Sequence, residues 1–346
     1  PDKYNYKTNK EKVLKEALIR GNFLIDNDFD ELSAIKFDYL SGRFDSTTLT
    51  LTLAPTMNCN FRCEYCYEEH LKIDMSKEVQ AALVKKVNDL APQLRQLSIF
   101  WFGGEPTLRM DIVEHLTKEF LKICKKYKIK YTASMVSNGY LMDRKLALKL
   151  KDLKIRDVQL TLDGPKDIHD KRRPVVGGKG SFDRIIKNIK EIYDVLIVNL
   201  RINIDKSNYK KTIELLDYLK KEGLDGKIYP YFGVVTAFTE SCGNISESCF
   251  DNQEYSKVEV EMYNEALMRG FNVAKYPHRI HGGYCSADTL YSIVVSANGA
   301  IFKCWNYVTE EEKHAVGHLL KPESKIHFYN TLKWMKHNII ENPECM

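Results

Sequence analysis

The run Thr48-Leu49-Thr50-Leu51-Thr52-Leu53-Ala54, followed four residues later by Cys59-Asn60-Phe61-Arg62-Cys63-Glu64-Tyr65-Cys66, decides how this chain is read. Its first half alternates β-branched threonine with leucine, the pattern of a strand. Its second half places three cysteines within eight residues on the loop that leaves that strand. In α/β barrels the active site gathers at this C-terminal end of the strands.

From residue 48 onward, short β-rich runs alternate with amphipathic helical stretches, which is the pattern of repeated βα units around a parallel sheet. Strands are expected over 48–54, 97–102, 130–136, 157–162, 195–204 and 227–235. Between them Val79, Leu83, Val87 and Leu90 recur at helical spacing behind a Ser76 cap, and Ile112, Leu116, Phe120 and Cys124 form a second stripe. A short helix follows around 146–150, another carries Ile185, Ile186 and Ile189 behind a Ser181 cap, and a third carries Ile213, Leu216 and Leu219 and ends near Gly223. Six units are fewer than the eight of a closed barrel, so the expected fold class is α/β, a partial (β/α)6 TIM-like barrel over 48–236.

Residues 1–47 read as an N-terminal helix/strand segment, with a helix over 10–20 stopped by Gly21 and a strand over 22–25. Residues 237–270 read as a polar linker and a helix over 254–269. In the last stretch, 271–346, Asn298-Gly299 between β-rich runs at 291–296 and 300–303 signals a hairpin.

Hydrophobic residues at 44% and charged residues at 29%, with no apolar run of bilayer length, exclude a membrane partner. The 52 Lys+Arg against 47 Asp+Glu leave +5, too little over this surface to imply nucleic acid. Nine cysteines without a signal peptide point to a cytoplasmic protein whose clustered thiols bind metal rather than pair. The chain opens at Pro1 without an initiator methionine and stops one residue after Cys345, so a trimmed chain is expected.

Three close thiolates can each hold one iron of a four-iron cluster and leave the fourth iron open, and that vacancy is where chemistry would occur. His70, four residues past Cys66, keeps a structural zinc site as the alternative. That reading accounts for four residues but not for the βα pattern or for Gly103-Gly104-Glu105-Pro106 at the end of the second strand. There, paired glycines let the backbone approach a ligand closely, and a carboxylate can meet an ammonium group. Alone, Gly-Gly-x-Pro would be a turn.

The Cys-x3-Cys-x2-Cys spacing, with Tyr65 before the last cysteine, resembles the signature of the radical S-adenosylmethionine (SAM) superfamily. The resemblance implies a [4Fe–4S] cluster on Cys59, Cys63 and Cys66 whose open iron is chelated by SAM. An electron from a donor such as a ferredoxin or flavodoxin then releases a 5′-deoxyadenosyl radical that abstracts hydrogen. It implies SAM contacts from Tyr65, from Gly103, Gly104, Glu105 and Pro106 on the amino-group side, and from Ser137 and Asn138 in Ser137-Asn138-Gly139. Asp163 in Leu162-Asp163-Gly164-Pro165 would join them, and Arg173, closing the run His169-Asp170-Lys171-Arg172-Arg173, would pair with the SAM carboxylate. No catalytic base is assigned.

Cys285, thirteen residues, Gly299, four residues and Cys304 resemble the opening of the SPASM extension, as does Val316-Gly317-His318-Leu319. That extension implies one or two auxiliary [4Fe–4S] clusters, with Cys285, Cys304 and Cys345 as ligands; two core cysteines on a hairpin are the plain alternative. Cys124 reads as core, and Cys242 and Cys249 as loop cysteines. The extension further implies a ribosomally made precursor peptide as substrate and a cross-link as product, a cysteine thioether first, with a carbon–carbon cross-link or a side-chain oxidation as alternatives. Trp305 and Asn306 stand where sulfatase-maturing relatives carry an acidic base, which argues against that branch.

Overall fold

The computed structural model describes residues 8–21, 23–237, 245–273, 285–308 and 311–341. Two helices come first, α1 (Asn9–Arg20) and α2 (Glu31–Arg43). The strand expected over 22–25 is not formed by 23–25. Instead the Phe23 and Leu24 amides donate to the Leu18 carbonyl and wrap the end of α1, so these two amides are not free to build a ladder. The unforeseen α2 starts at Asp30, whose carboxylate accepts the Ser33 amide at 3.0 Å.

Six βα units follow: β1 (Thr48–Leu53), α3 (Lys77–Leu90), β2 (Gln96–Trp101), α4 (Met110–Tyr127), β3 (Lys130–Val136), α5 (Arg144–Asp152) and β4 (Ile155–Thr161). After β4 come α6 (Lys166–Arg172), α7 (Phe182–Ile192), β5 (Ile197–Ile204), α8 (Thr212–Lys221), β6 (Tyr229–Val234) and α9 (Asn252–Met268). All neighbours from β1 to β6 pair in parallel, in order, with Leu53 beside Trp101 and Arg201 beside Tyr231. The sheet does not close, as six strands require.

Alternation along each strand separates two faces. Leu97, Ile99 and Trp101 of β2 are buried, and Leu200, Ile202 and Ile204 of β5 join them in the core that the helices cover. Phe100, on the other face, is 42% exposed and looks into the lumen. The helix stripes lie as expected, and Ser76 caps α3 by accepting the Val79 amide. At α7 the cap differs. Ser181 does not cap through its own hydroxyl; the Asp170 carboxylate accepts the Ser181 and Phe182 amides at 2.7 and 2.8 Å.

The C-terminal stretch extends the same sheet. Its first strand, β7 (Ser292–Val295), runs parallel to β1 with Val295 beside Leu53. The Asn298-Gly299 turn, with Gly299 at φ +94°, returns the chain as β8 (Ala300–Phe302), and β9 (Gly317–His318) follows antiparallel. The last helix, α10 (Lys325–Lys336), is tied to α2 by the buried Arg43, which donates to the Trp334 and Met335 carbonyls. No described helix is long and apolar enough to cross a membrane.

Candidate active site

The cysteine loop leaves β1 at the top of the sheet and is zipped to the segment after α6. Phe61 bridges Val175, the Arg62 amide donates to the Pro174 carbonyl at 2.9 Å, and the Glu64 amide donates to the Arg172 carbonyl at 3.1 Å. Phe61, fully buried, anchors the loop. Cys59 is buried and Cys63 and Cys66 are half-buried. Burial pushes the Cys59 thiol up to about 12, and burial likewise raises Cys63 and Cys66. Each of Cys59 and Cys66 is raised further by the neighbouring cysteine charges, so the three thiols share one electrostatic site. They hold their protons until a metal centre replaces them.

Among the described residues no three His, Cys, Asp or Glu side chains converge on a single ion-sized point. His70, in the left-handed region at φ +49°, completes no such group with the cysteines. Three neighbouring thiols on one loop fit a multi-iron cluster, in which each thiolate holds its own iron.

Gly103 and Gly104 lie directly against this loop. A Cβ on Gly103 would stand 2.6 Å from the Thr56 carbonyl oxygen, and one on Gly104 would stand 2.3 Å from that of Asn58. The glycines are therefore required by chain-to-chain contact, and the Gly104 and Glu105 amides donate to Thr56 and Asn58. Glu105, 1% exposed, accepts the Thr107 amide and hydroxyl, the Ser137 hydroxyl at 2.9 Å and the Asn138 amide at 2.7 Å. Its carboxylate thus joins the ends of β2 and β3. Pro106 begins the short helical turn that follows it.

Across the site Tyr65 is the hub. Its hydroxyl donates to Asp163 at 2.5 Å and accepts from Arg173 and Asn203 at 2.6 and 2.9 Å. Behind it His169, fully buried, accepts the Asp163 amide at Nδ1, which leaves the Nε2 proton to donate to Ser181; Ser181 in turn donates to the Arg173 carbonyl. Burial holds the His169 imidazole well below its ordinary value and hence neutral. Arg172 pairs with Asp205 at 2.8 Å and lies over the Tyr65 ring. Arg173 Nε is buried without a hydrogen-bond partner, an opening for an anionic group beside Cys63.

The structure brings Cys59, Cys63, Cys66, Tyr65, Gly103, Gly104, Glu105, Ser137, Asn138, Asp163 and Arg173 to one end of the sheet. Burial and, to a smaller degree, nearby Cys285 raise the Cys304 thiol, which also lies near Tyr67, itself close to Cys66 and Arg201. Trp305 stacks on Phe102, next to Gly103, at 5.7 Å. Cys124 is core, and Cys249 donates to the Ile245 carbonyl within its own loop. Cys242 and Cys345 lie outside the described residues. Not foreseen were His169, Arg172, Asn203, Asn208 and Glu68. Asn208 donates to the Asp163 and Asn203 carbonyls, and Glu68, 8% exposed, is raised to about 7 by burial and by the charge of Glu105.

The sequence profile of the radical SAM superfamily matches residues 53–236. The chain belongs to that superfamily. As a radical SAM enzyme it uses a [4Fe–4S] cluster and S-adenosylmethionine. Among curated relatives, Fe-coproporphyrin III synthase of Methanosarcina barkeri is 31% identical over 168 residues, 48% of this chain and 40% of that protein. The cysteine-type anaerobic sulfatase-maturating enzyme of Clostridium novyi is 27% identical over 296 residues, 77% of this chain and 76% of that one. Against several other relatives, probable GTP 3′,8-cyclases, the chain spans less than two thirds of their length. Among solved structures, anSMEcpe with bound AdoMet and Kp18Cys peptide superposes with a TM-score of 0.69 at 22% identity, covering 86% of this chain and 85% of that one. Streptococcus suis SuiB bound to precursor peptide SuiA gives 0.56 at 18%, covering 86% and 72%. These likenesses establish the radical SAM partial-barrel fold.

Proposed function

We propose that this radical SAM enzyme modifies a residue of a peptide or protein, and that its substrate is a ribosomally made precursor peptide. The observation that carries this reading is the span of the match to the cysteine-type sulfatase-maturating enzyme. It covers 77% of this chain and 76% of that protein, and that relative acts by name on a protein.

In this reading Cys59, Cys63 and Cys66 hold the cluster. Arg173 faces the SAM carboxylate with its unpartnered Nε, Glu105 with Ser137 and Asn138 shapes the amino-group side, and Tyr65 and Asp163 hold Arg173 in place. When bound, the cluster and SAM supply the 5′-deoxyadenosyl radical that takes a hydrogen atom. The low-potential electron comes from a ferredoxin or flavodoxin. Cys285 and Cys304, with Cys345, hold an auxiliary cluster, and Trp305 against Phe102 seats their segment on the cofactor end of the barrel. The product is a cross-link from a cysteine sulfur to a carbon. Side-chain oxidation, favoured by the same relative, is the second reading.

The test is anaerobic incubation of the reconstituted enzyme with SAM, a chemical reductant and cysteine-containing peptides. A thioether appears as loss of two hydrogens and of an alkylatable thiol, with no carbonyl for a hydrazide probe to capture. A captured carbonyl supports oxidation instead. Absence of 5′-deoxyadenosine with every peptide and protein offered overturns the peptide reading.

A further inference from the structure

Strand β5 turns Asn199, Arg201 and Asn203 toward the lumen while Leu200 and Ile202 fill the core behind it. Arg201 is the cation of this face. Its Nε donates to Asn203 at 2.6 Å, and Asn203 donates onward to the Tyr65 hydroxyl, so one residue separates Arg201 from the cofactor-side network. Its guanidinium lies 5.9 Å from the Tyr231 ring on the adjoining strand and close enough to Tyr67 for its charge to favour the phenolate there. Among the described residues no carboxylate pairs with it. The fold also makes room for it, because a Cβ on Gly233 would stand 2.6 Å from its Nη2. The adjacent lumen holds an open cavity of about 750 Å³ whose lining includes Phe100, Asn199 and Tyr231 together with Lys154, Arg156 and Asp157.

A half-buried guanidinium held by Asn203 and Tyr231, with space kept for it and no carboxylate paired to it among the described residues, is arranged for an external anion with two oxygens. We propose that Arg201 determines substrate specificity by receiving a carboxylate, an aspartate or glutamate side chain of the substrate peptide close to the residue that loses hydrogen. This rests on the peptide reading above. A carboxylate docked there would sit one side chain from Tyr65 and beside Tyr67, and so fix which substrate residue faces the cofactor.

The test uses the full chain, reconstituted anaerobically and saturated with SAM, and a random pool of end-capped hexapeptides. Peptides retained by the native chain, Arg201→Gln, Arg201→Lys and Gly233→Ala are sequenced by mass spectrometry, with SAM affinity measured beside each. The native chain is expected to enrich Asp and Glu about tenfold over the input. Arg201→Gln is expected to abolish that bias, Arg201→Lys to keep part of it, and Gly233→Ala, which displaces the guanidinium, to reduce it. Peptides retained without acidic bias, or a bias that survives both Arg201→Gln and Gly233→Ala, overturn the role of Arg201 and leave the peptide reading standing. Retention of no peptide above a control protein overturns both. Should Arg201→Gln lose the cluster, Arg201→Lys and Gly233→Ala decide alone.

Discussion

The Tyr65 hydroxyl stands 2.6 Å from Nη1 of Arg173, 108 residues further along the chain. With Asp163 and Asn203 on the same oxygen, this hydroxyl holds an arginine whose Nε is otherwise unpartnered. Tyr65→Phe removes all three bonds while keeping the ring beneath Arg172. Because hydrogen bonds to charged groups are worth about 1.5–3 kcal/mol, SAM affinity should fall about tenfold or more, with iron content unchanged. Equilibrium dialysis with labelled SAM beside iron analysis checks this; unchanged affinity would remove Tyr65 from the cofactor site.

Gly104→Ala forces a methyl group within 2.3 Å of the Asn58 carbonyl, a contact that only backbone movement relieves. Destabilisation of about 3 kcal/mol is expected, with poor cluster incorporation, because the displaced segment lies between Cys59 and Glu105. Thermal unfolding and the iron-to-protein ratio report the two effects.

Glu68 gives a pH signature in the cluster-free chain. Burial and Glu105 raise its carboxyl from 4.5 to about 7, so between those values the folded chain keeps a proton that the unfolded chain has released. Stability therefore falls as pH rises through this window, by about 3 kcal/mol in total. Glu68→Gln should raise the melting temperature of the cluster-free protein at pH 8 and change it little at pH 4.5. Equal shifts at both pH values would show that the charge is not the cause.

Two cysteine variants separate cofactor cleavage from product formation. Cys63→Ala should abolish 5′-deoxyadenosine release, whereas Cys304→Ala should retain some release and lose the modified peptide. Full product from Cys304→Ala would remove the auxiliary-cluster role.

The barrel strands were legible because β-rich runs such as 130–136 and helical stripes such as Ile112, Leu116 and Phe120 are set by burial on one face, which sequence periodicity records. The Ser76 cap was legible because its bond is local. The Ser181 cap was misread because the acceptor, Asp170, lies eleven residues earlier in a different helix. Helix α2 went unseen because its apolar residues Ile35, Phe37 and Leu40 are exposed, so no buried stripe marks it. In the site, the cysteines and Glu105 could be read from motif spacing. What Glu105 does could not, since its bonds to Ser137 and Asn138 join two βα units. Asn203, Asn208 and Arg172 look in sequence like ordinary polar residues in a strand, after one or at a helix end, and only the fold turns them inward.

The parallel pairing of β7 with β1 bears on biosynthesis. A ribosome delivers the strand that leads into the cysteine loop long before it delivers its outer neighbour. Until residue 295 has emerged, one side of β1 presents bare amides and carbonyls beside three reduced thiols, an adhesive rim on the nascent chain. Late docking of the hairpin would seal that rim.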